Sequence, residues 1–226
     1  MPATSSDASH DVVFLLFDEM DLLDFGGPYE VLLTANRLSE RSGQLAPFRI
    51  HTVSPDDQPV TAYGGIGLTP TDSVNNIDCP DVVVIPGAIN PNGIATNSEI
   101  SSAITSITAE STIITSVCTG SYVLGQLGLL DGRDWTTHWE DIPELQNKLA
   151  LRNTNSETSI GRSERIVDSG KVITAGALTC GLDLGLHLVA RLVNPTLANH
   201  TARQLDFPWP QDSSAPVDRT TEPEQN

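Results

Sequence analysis

Residues 115–125, TSVCTGSYVLG, join two different local patterns. Upstream, STIIT (111–115) carries the β-branched, apolar composition of a buried strand, and downstream YVLGQLGLL (122–130) reads as a helix. Cys118 therefore falls on a strand-to-helix turn, followed by Thr119 and the small residues Gly120 and Ser121. Such a turn projects its central side chain outward and presents N–H groups from the helix that follows. Those donors and the positive helix end favour a thiolate, so the position predicts a nucleophile with a lowered pKa. The Thr119 N–H is a candidate donor to negative charge on a substrate atom. The Gly87–Ala88 turn could supply a second donor, making a two-point oxyanion site. The competing reading is a small core residue, as free cysteines often are.

Outward from the elbow, the chain alternates short Val/Ile-rich runs with helical patterns. VVFLLF (12–17), FRIHTVS (48–54) and DVVVIPG (81–87) read as strands, the last ending in a Pro-Gly turn. GGPYEVLLTANRLSE (26–40) reads as a helix with Pro28 in its first turn, and a polar helix is expected near 98–109. YGGIGLTPTDS (63–73) suggests a short hairpin or excursion, and DWTTH (134–138) a strand end with a helix after Pro143. ERIVDSGKVITAG (164–176) predicts a hairpin turning at Asp168-Ser169-Gly170, followed by an apolar helix over 178–193. Together these predict an α/β fold: a mostly parallel sheet with helices on both faces, and a ligand site beyond the strands' carboxyl ends. The loop after VVFLLF, the PGA turn and Cys118 would converge there.

With 226 residues the chain suits one core, expected over 11–206, after a flexible leader at 1–10 and before a disordered acidic tail at 207–226. It has 29 acidic and 12 basic residues, a net charge of −17, and only Lys148 and Lys171 as lysines. This acidity suits a halophilic source or an ordinary acidic protein, and it disfavours a nucleic-acid partner. The start shows no signal peptide and no apolar run approaches a membrane span, so a cytoplasmic protein without a membrane partner is expected. Cys79, Cys118 and Cys180 are too few and too scattered for a disulfide framework or a structural zinc site, so no metal is expected. Cys79 reads as structural and Cys180 as core. Among the histidines, His51 and His187 read as structural, whereas His138 in TTHW is the one expected near the elbow. The loop carboxylates Asp18, Glu19 and Asp21 read as solvated. Asp24, flanked by Leu22, Leu23 and Phe25, should be more buried, with a raised pKa.

Four segments in order resemble the ThiJ/PfpI superfamily: FLLFDEMDLLDFGGPYEVL (14–32), VVVIPGA (82–88), SVCTGSYVLGQLGLLDGRDWTTHW (116–139) and GKVITAGALTCGLDLGLHLVARL (170–192). The resemblance implies a flavodoxin-like three-layer sandwich of the class I glutamine-amidotransferase type. LD-x-x-GP, S-V-C-T-G-S and T-T-H-W are most similar to isocyanide hydratases and to the sensor domains of AraC-type regulators. It implies Cys118 as nucleophile, Asp24 as its acidic partner, Thr119 in the substrate site, no cofactor, a small-molecule substrate and a homodimer. Proteases of this superfamily carry His after the cysteine; Thr119 stands there instead. Ala88 and INPNG (89–93) replace a more glycine-rich loop. The alternatives are a redox or ligand sensor using an oxidisable Cys118, or a glyoxalase- or esterase-like enzyme. A regulator is disfavoured by the acidic tail where a DNA-binding domain would follow.

Overall fold

The computed structural model describes residues 9–108, 112–152 and 159–209. The elements in chain order are β1 (His10–Leu15), α1 (Leu22–Arg41), β2 (Phe48–Val53), β3 (Val60–Thr61), β4 (Gly67–Leu68), β5 (Val82–Ile85), α2 (Pro91–Thr96), α3 (Ser98–Ile107) and β6 (Ile113–Val117). They continue with α4 (Ser121–Gln126), β7 (Asp134–Trp135), α5 (Ile142–Arg152), β8 (Ile160–Gly161), β9 (Ile166–Asp168), β10 (Val172–Ala175), α6 (Cys180–Leu192) and α7 (Pro195–Gln204).

Six strands form the main sheet in the order β2-β1-β5-β6-β10-β9. Every neighbour pairs parallel except β9, which returns antiparallel on β10 at the edge. The inner strands are apolar at nearly every position because both of their faces are covered: Val12–Leu15 and Val82–Ile85 are fully buried. The connection β1–α1–β2 steps one way along the sheet and β5–α2–α3–β6 steps the other. Right-handed crossovers therefore place α1 and α3 on opposite faces. Helices α1, α6 and α7 pack together as one layer, while α2 packs with α3 and α4 in the other. Strands β1 and β5 are neighbours at the point where the stepping reverses, the position at which open parallel sheets hold ligands.

Several expectations shift. Helix α1 begins at Leu22, so Pro28 lies inside it rather than in its first turn. Proline there removes one backbone bond, to the Asp24 carbonyl, and the buried face of the helix outweighs that loss. INPNG is not a plain loop: the Asn90 side chain accepts from the Gly93 N–H at 3.0 Å and Pro91 opens α2. The glycine-rich segment does form a hairpin, β3–β4, apart from the main sheet. At the edges of the domain, His10 is already in β1, its Nε2 3.2 Å from the Leu192 carbonyl, and Phe207 and Trp209 pack against the core. Residues 1–8 of the leader and 210–226 of the expected disordered tail lie outside the described residues. No helix among the described residues is long and apolar enough to cross a membrane.

Candidate active site

Strand β6 ends at Val117, and the backbone turns at Cys118 with φ at 55°, a left-handed conformation rare for a residue with a side chain. Contacts on both sides hold it there. The Cys118 N–H donates to the Gly176 carbonyl at 2.9 Å, and its own carbonyl accepts from Thr137 Oγ1 at 3.0 Å. A β-carbon on Gly120 would come within 2.7 Å of the Pro86 carbonyl oxygen, so only glycine lets the elbow close against the end of β5. Backbone strain of this kind, held by its neighbours, is typical of a functional turn and makes Cys118 a candidate nucleophile.

Asp24 reaches the elbow from the first turn of α1 and is fully buried. Its Oδ2 accepts from the Gly87 N–H at 3.0 Å, while Oδ1 has no hydrogen-bond partner. Burial raises its pKa to about 7, helped by the neighbouring Asp21 charge and opposed by the Gly87 N–H and the Cys118 thiol. Gly87 sits in the gap: a β-carbon there would lie 2.6 Å from Thr119 Oγ1 and 2.8 Å from Asp24 Oδ2.

The second oxyanion donor expected from the Gly87–Ala88 turn, to act beside the Thr119 N–H, is not available in this arrangement. The Gly87 N–H is engaged by Asp24, and the Ala88 N–H donates to Thr119 Oγ1 at 2.9 Å. Thr119 Oγ1 in turn donates to the Ala88 carbonyl at 2.8 Å. The Thr119 hydroxyl therefore clamps the elbow to the β5 turn, and its backbone N–H is what faces the thiol.

The expected low cysteine pKa is also overturned. Cys118 is 3% exposed, and burial, followed by the Asp24 charge, pushes its thiol pKa well up. The N–H groups of Thr119 and Leu178 pull it back only in part. The helix behind the elbow runs only Ser121–Gln126 and is a weak dipole. Leu178 left no signal in the sequence, because a backbone N–H contributes through position and not through residue type. The resting site thus holds a protonated thiol beside a carboxyl group that titrates near neutrality.

The partners of His138 are carboxylates. Its Nδ1 lies 3.5 Å from Asp141 Oδ2 and 3.9 Å from Glu140 Oε2, and its charge acts on Asp21. Asp21, read from sequence as solvated, is instead part of the site: one oxygen each of Asp21 and Asp24 and the Cys118 sulfur all lie within 4.8 Å of one another. No other trio of His, Cys, Asp or Glu donors is so close among the described residues, and three donors are one short of a structural zinc shell. Cys180 is buried at the start of α6; Cys79 is exposed in its loop, so it is not core filling. His51 and His187 are bound to carboxylates, with His187 Nε2 2.7 Å from Asp168 Oδ2. A cavity of about 500 Å³ lies beside the Ala88 turn, lined by Phe17, Glu19, Tyr63 and Ile94 among others, but it does not include Cys118.

Comparison with known proteins agrees with this geometry. The DJ-1/PfpI family matches residues 10–191. An isonitrile hydratase from Pseudomonas putida is 35% identical over 210 residues, covering 90% of this chain and 82% of that protein. The HTH-type transcriptional regulator GbdR of Pseudomonas aeruginosa (strain UCBPP-PA14) is 29% identical over 180 residues, which span 79% of this chain but only 45% of the regulator. A crystal structure of a ThiJ/PfpI family protein from Pseudomonas syringae superposes with a TM-score of 0.75 at 26% identity, covering 93% of this chain and 83% of that one. On the ordered motifs, the sheet topology and these matches, the chain belongs to the DJ-1/PfpI family.

Proposed function

We propose that this chain is a cytoplasmic isonitrile hydratase, adding water to R–NC to give the N-substituted formamide R–NH–CHO through a covalent thioimidate on Cys118. The observation that carries the reading is the Cys118–Asp24 pair: a nearly inaccessible, protonated thiol beside a buried carboxyl group that titrates near 7. An isonitrile ends in an unhindered carbon on a linear rod, a shape able to reach a thiol that is 3% exposed. Amide or ester cleavage would instead call for donors at a developing oxyanion, and the Gly87 and Ala88 N–H groups are already engaged. Burial and the raised thiol pKa also count against a peroxide-sensing cysteine, which needs thiolate character and access. The net charge of −17 favours a small neutral substrate over a polyanion.

The pair begins the reaction with one proton on sulfur and none on Asp24. As sulfur bonds to the terminal isonitrile carbon, Asp24 takes the thiol proton. The addition leaves an electron pair on that carbon, and Asp24 returns the proton to it, giving R–N=CH–S–Cys118. Water then adds to the same carbon, the carbon–sulfur bond breaks, and the formamide leaves with the thiol restored. The Thr119 and Leu178 N–H groups steady the sulfur while it carries negative charge. We further propose that the chain works as a homodimer, for which light scattering should give twice the monomer mass.

The test is a panel of isonitriles, methylglyoxal and simple esters, incubated with wild type and Cys118→Ala at low and high salt. High salt guards against unfolding of a strongly acidic protein through self-repulsion. Formamide from isonitriles with wild type alone supports the proposal. Turnover of only methylglyoxal or esters, or equal hydration by Cys118→Ala, overturns it.

A further inference from the structure

Asp21 stands immediately before α1, where an aspartate ordinarily turns its carboxylate back to cap the helix N–H groups. It does not do so here: the position has no side-chain cap, and the Asp24 N–H is taken by the Asp21 carbonyl at 3.2 Å. The Asp21 N–H donates to the Gly87 carbonyl at 2.9 Å, which fixes the residue to the turn that also holds Asp24. Its carboxylate is placed with Asp24 and the Cys118 sulfur, within 4.8 Å of both. A capping bond is thus absent and a like charge stands near a buried carboxyl group, an arrangement unfavourable for folding. Asp24 is fully buried with its Oδ1 unpartnered, whereas Asp21 is only half-buried and lies on the side that water can reach.

We infer that Asp21 is the base that activates water in the second half of the reaction, dividing the work with Asp24, which moves the proton in the first half. The inference rests on the hydratase reading above. In the thioimidate, R–N=CH–S–Cys118, the carbon lies one bond from sulfur and so within reach of both carboxylates. Asp21 takes one proton from water as the oxygen bonds to that carbon. The C=N π pair moves to nitrogen, and Asp21 delivers its proton there, giving R–NH–CH(OH)–S–Cys118. The hydroxyl proton then passes through Asp24 to the departing sulfur as the C–S bond breaks and C=O forms. Atoms and charge balance with water as the only co-reactant. The charged and titratable groups facing Asp21 are Asp24 on α1, Cys118 at the elbow, and His138 backed by Asp141 and Glu140. Burial raises the Asp21 pKa, which suits a base, and the His138 charge opposes that rise in part.

The test separates the two half-reactions by rapid quench and intact-mass measurement of the full chain with an isonitrile in single turnover. Asparagine is as good a helix cap as aspartate, so Asp21→Asn should fold. It should form the thioimidate within about threefold of the wild-type rate, since loss of the Asp21 charge alters Asp24 only moderately. Decay of the adduct should slow by about 100-fold or more, the scale of a lost general base, so the thioimidate accumulates. The decay rate in wild type should fall as pH drops through the titration of Asp21, and that component should vanish in Asp21→Asn, leaving only the dependence set by Asp24. Asp21→Glu should recover part of the decay rate. Unchanged decay, or equal slowing of both steps with a lowered melting temperature, overturns the base role while leaving the hydratase reading intact. If wild type forms no adduct and no formamide, the hydratase reading fails and the base role fails with it.

Discussion

Replacing Asp24 by asparagine should stabilise the protein while removing its chemistry, and the stabilisation should depend on pH. The wild-type carboxyl titrates near 7 in the fold, against 3.8 for an unperturbed aspartate. Below about pH 4 it is neutral in both folded and unfolded chains, and the variant gains nothing from losing the charge. Between pH 4 and 7 the folded protein keeps a proton that the unfolded chain has released, so wild-type stability falls by about 1.4 kcal/mol per pH unit. Above pH 7 the loss is complete, at roughly 4 kcal/mol in total. Asparagine carries no charge, and its amide oxygen can still accept from the Gly87 N–H. The stability gap between Asp24→Asn and wild type should therefore open from pH 4, flatten above pH 7, and raise the variant's melting temperature at pH 8 by about 10 °C. Subtracting the two curves removes the pH trend of every other carboxylate. Thermal and urea unfolding from pH 4 to 8 would measure the gap. A gap independent of pH, or a variant less stable than wild type at pH 8, would refute the assignment of a buried Asp24 with a raised pKa.

Gly87→Ala places a β-carbon against Thr119 Oγ1 and Asp24 Oδ2; it should cost about 1–3 kcal/mol in urea unfolding and slow thioimidate formation more than its decay. At the far edge of the sheet, the His187 and Arg191 side chains and the Gly170 N–H bind Asp168, whose pKa stands at about 2. That carboxylate stabilises the fold above about pH 4, and its contribution is lost as pH falls toward 2. Asp168→Asn should therefore lower the melting temperature at pH 6 and lose most of that deficit by pH 2.

The elbow was readable because residue types announce it: a β-branched strand, a cysteine, then small residues that let two chain segments touch. The hairpin at Asp168-Ser169-Gly170 was readable for the same reason, since Gly170 at φ 87° is what such a turn needs. Pro28 misled, because a proline so often opens a helix; the start of α1 was instead set by burial of Asp24, Phe25 and the residues after them. The short α2 was hidden in a run of Asn, Pro and Gly that also spells a loop. The site's polarity was the least readable part. Whether the Gly87 and Ala88 N–H groups are free depends on which side chains arrive from α1 and the elbow, and both turned out to be engaged. The same through-space dependence made Asp21 look like one more solvated carboxylate, and made a buried thiol look like a thiolate.

Covalent chemistry at Cys118 is tested by the intact mass of the protein after brief mixing with a small isonitrile, with peptide mapping of any adduct. A transient gain equal to one isonitrile, located on Cys118 and decaying as formamide appears, is the expected result. Formamide produced with no adduct, or an adduct on Cys79 or Cys180 in its place, would contradict it.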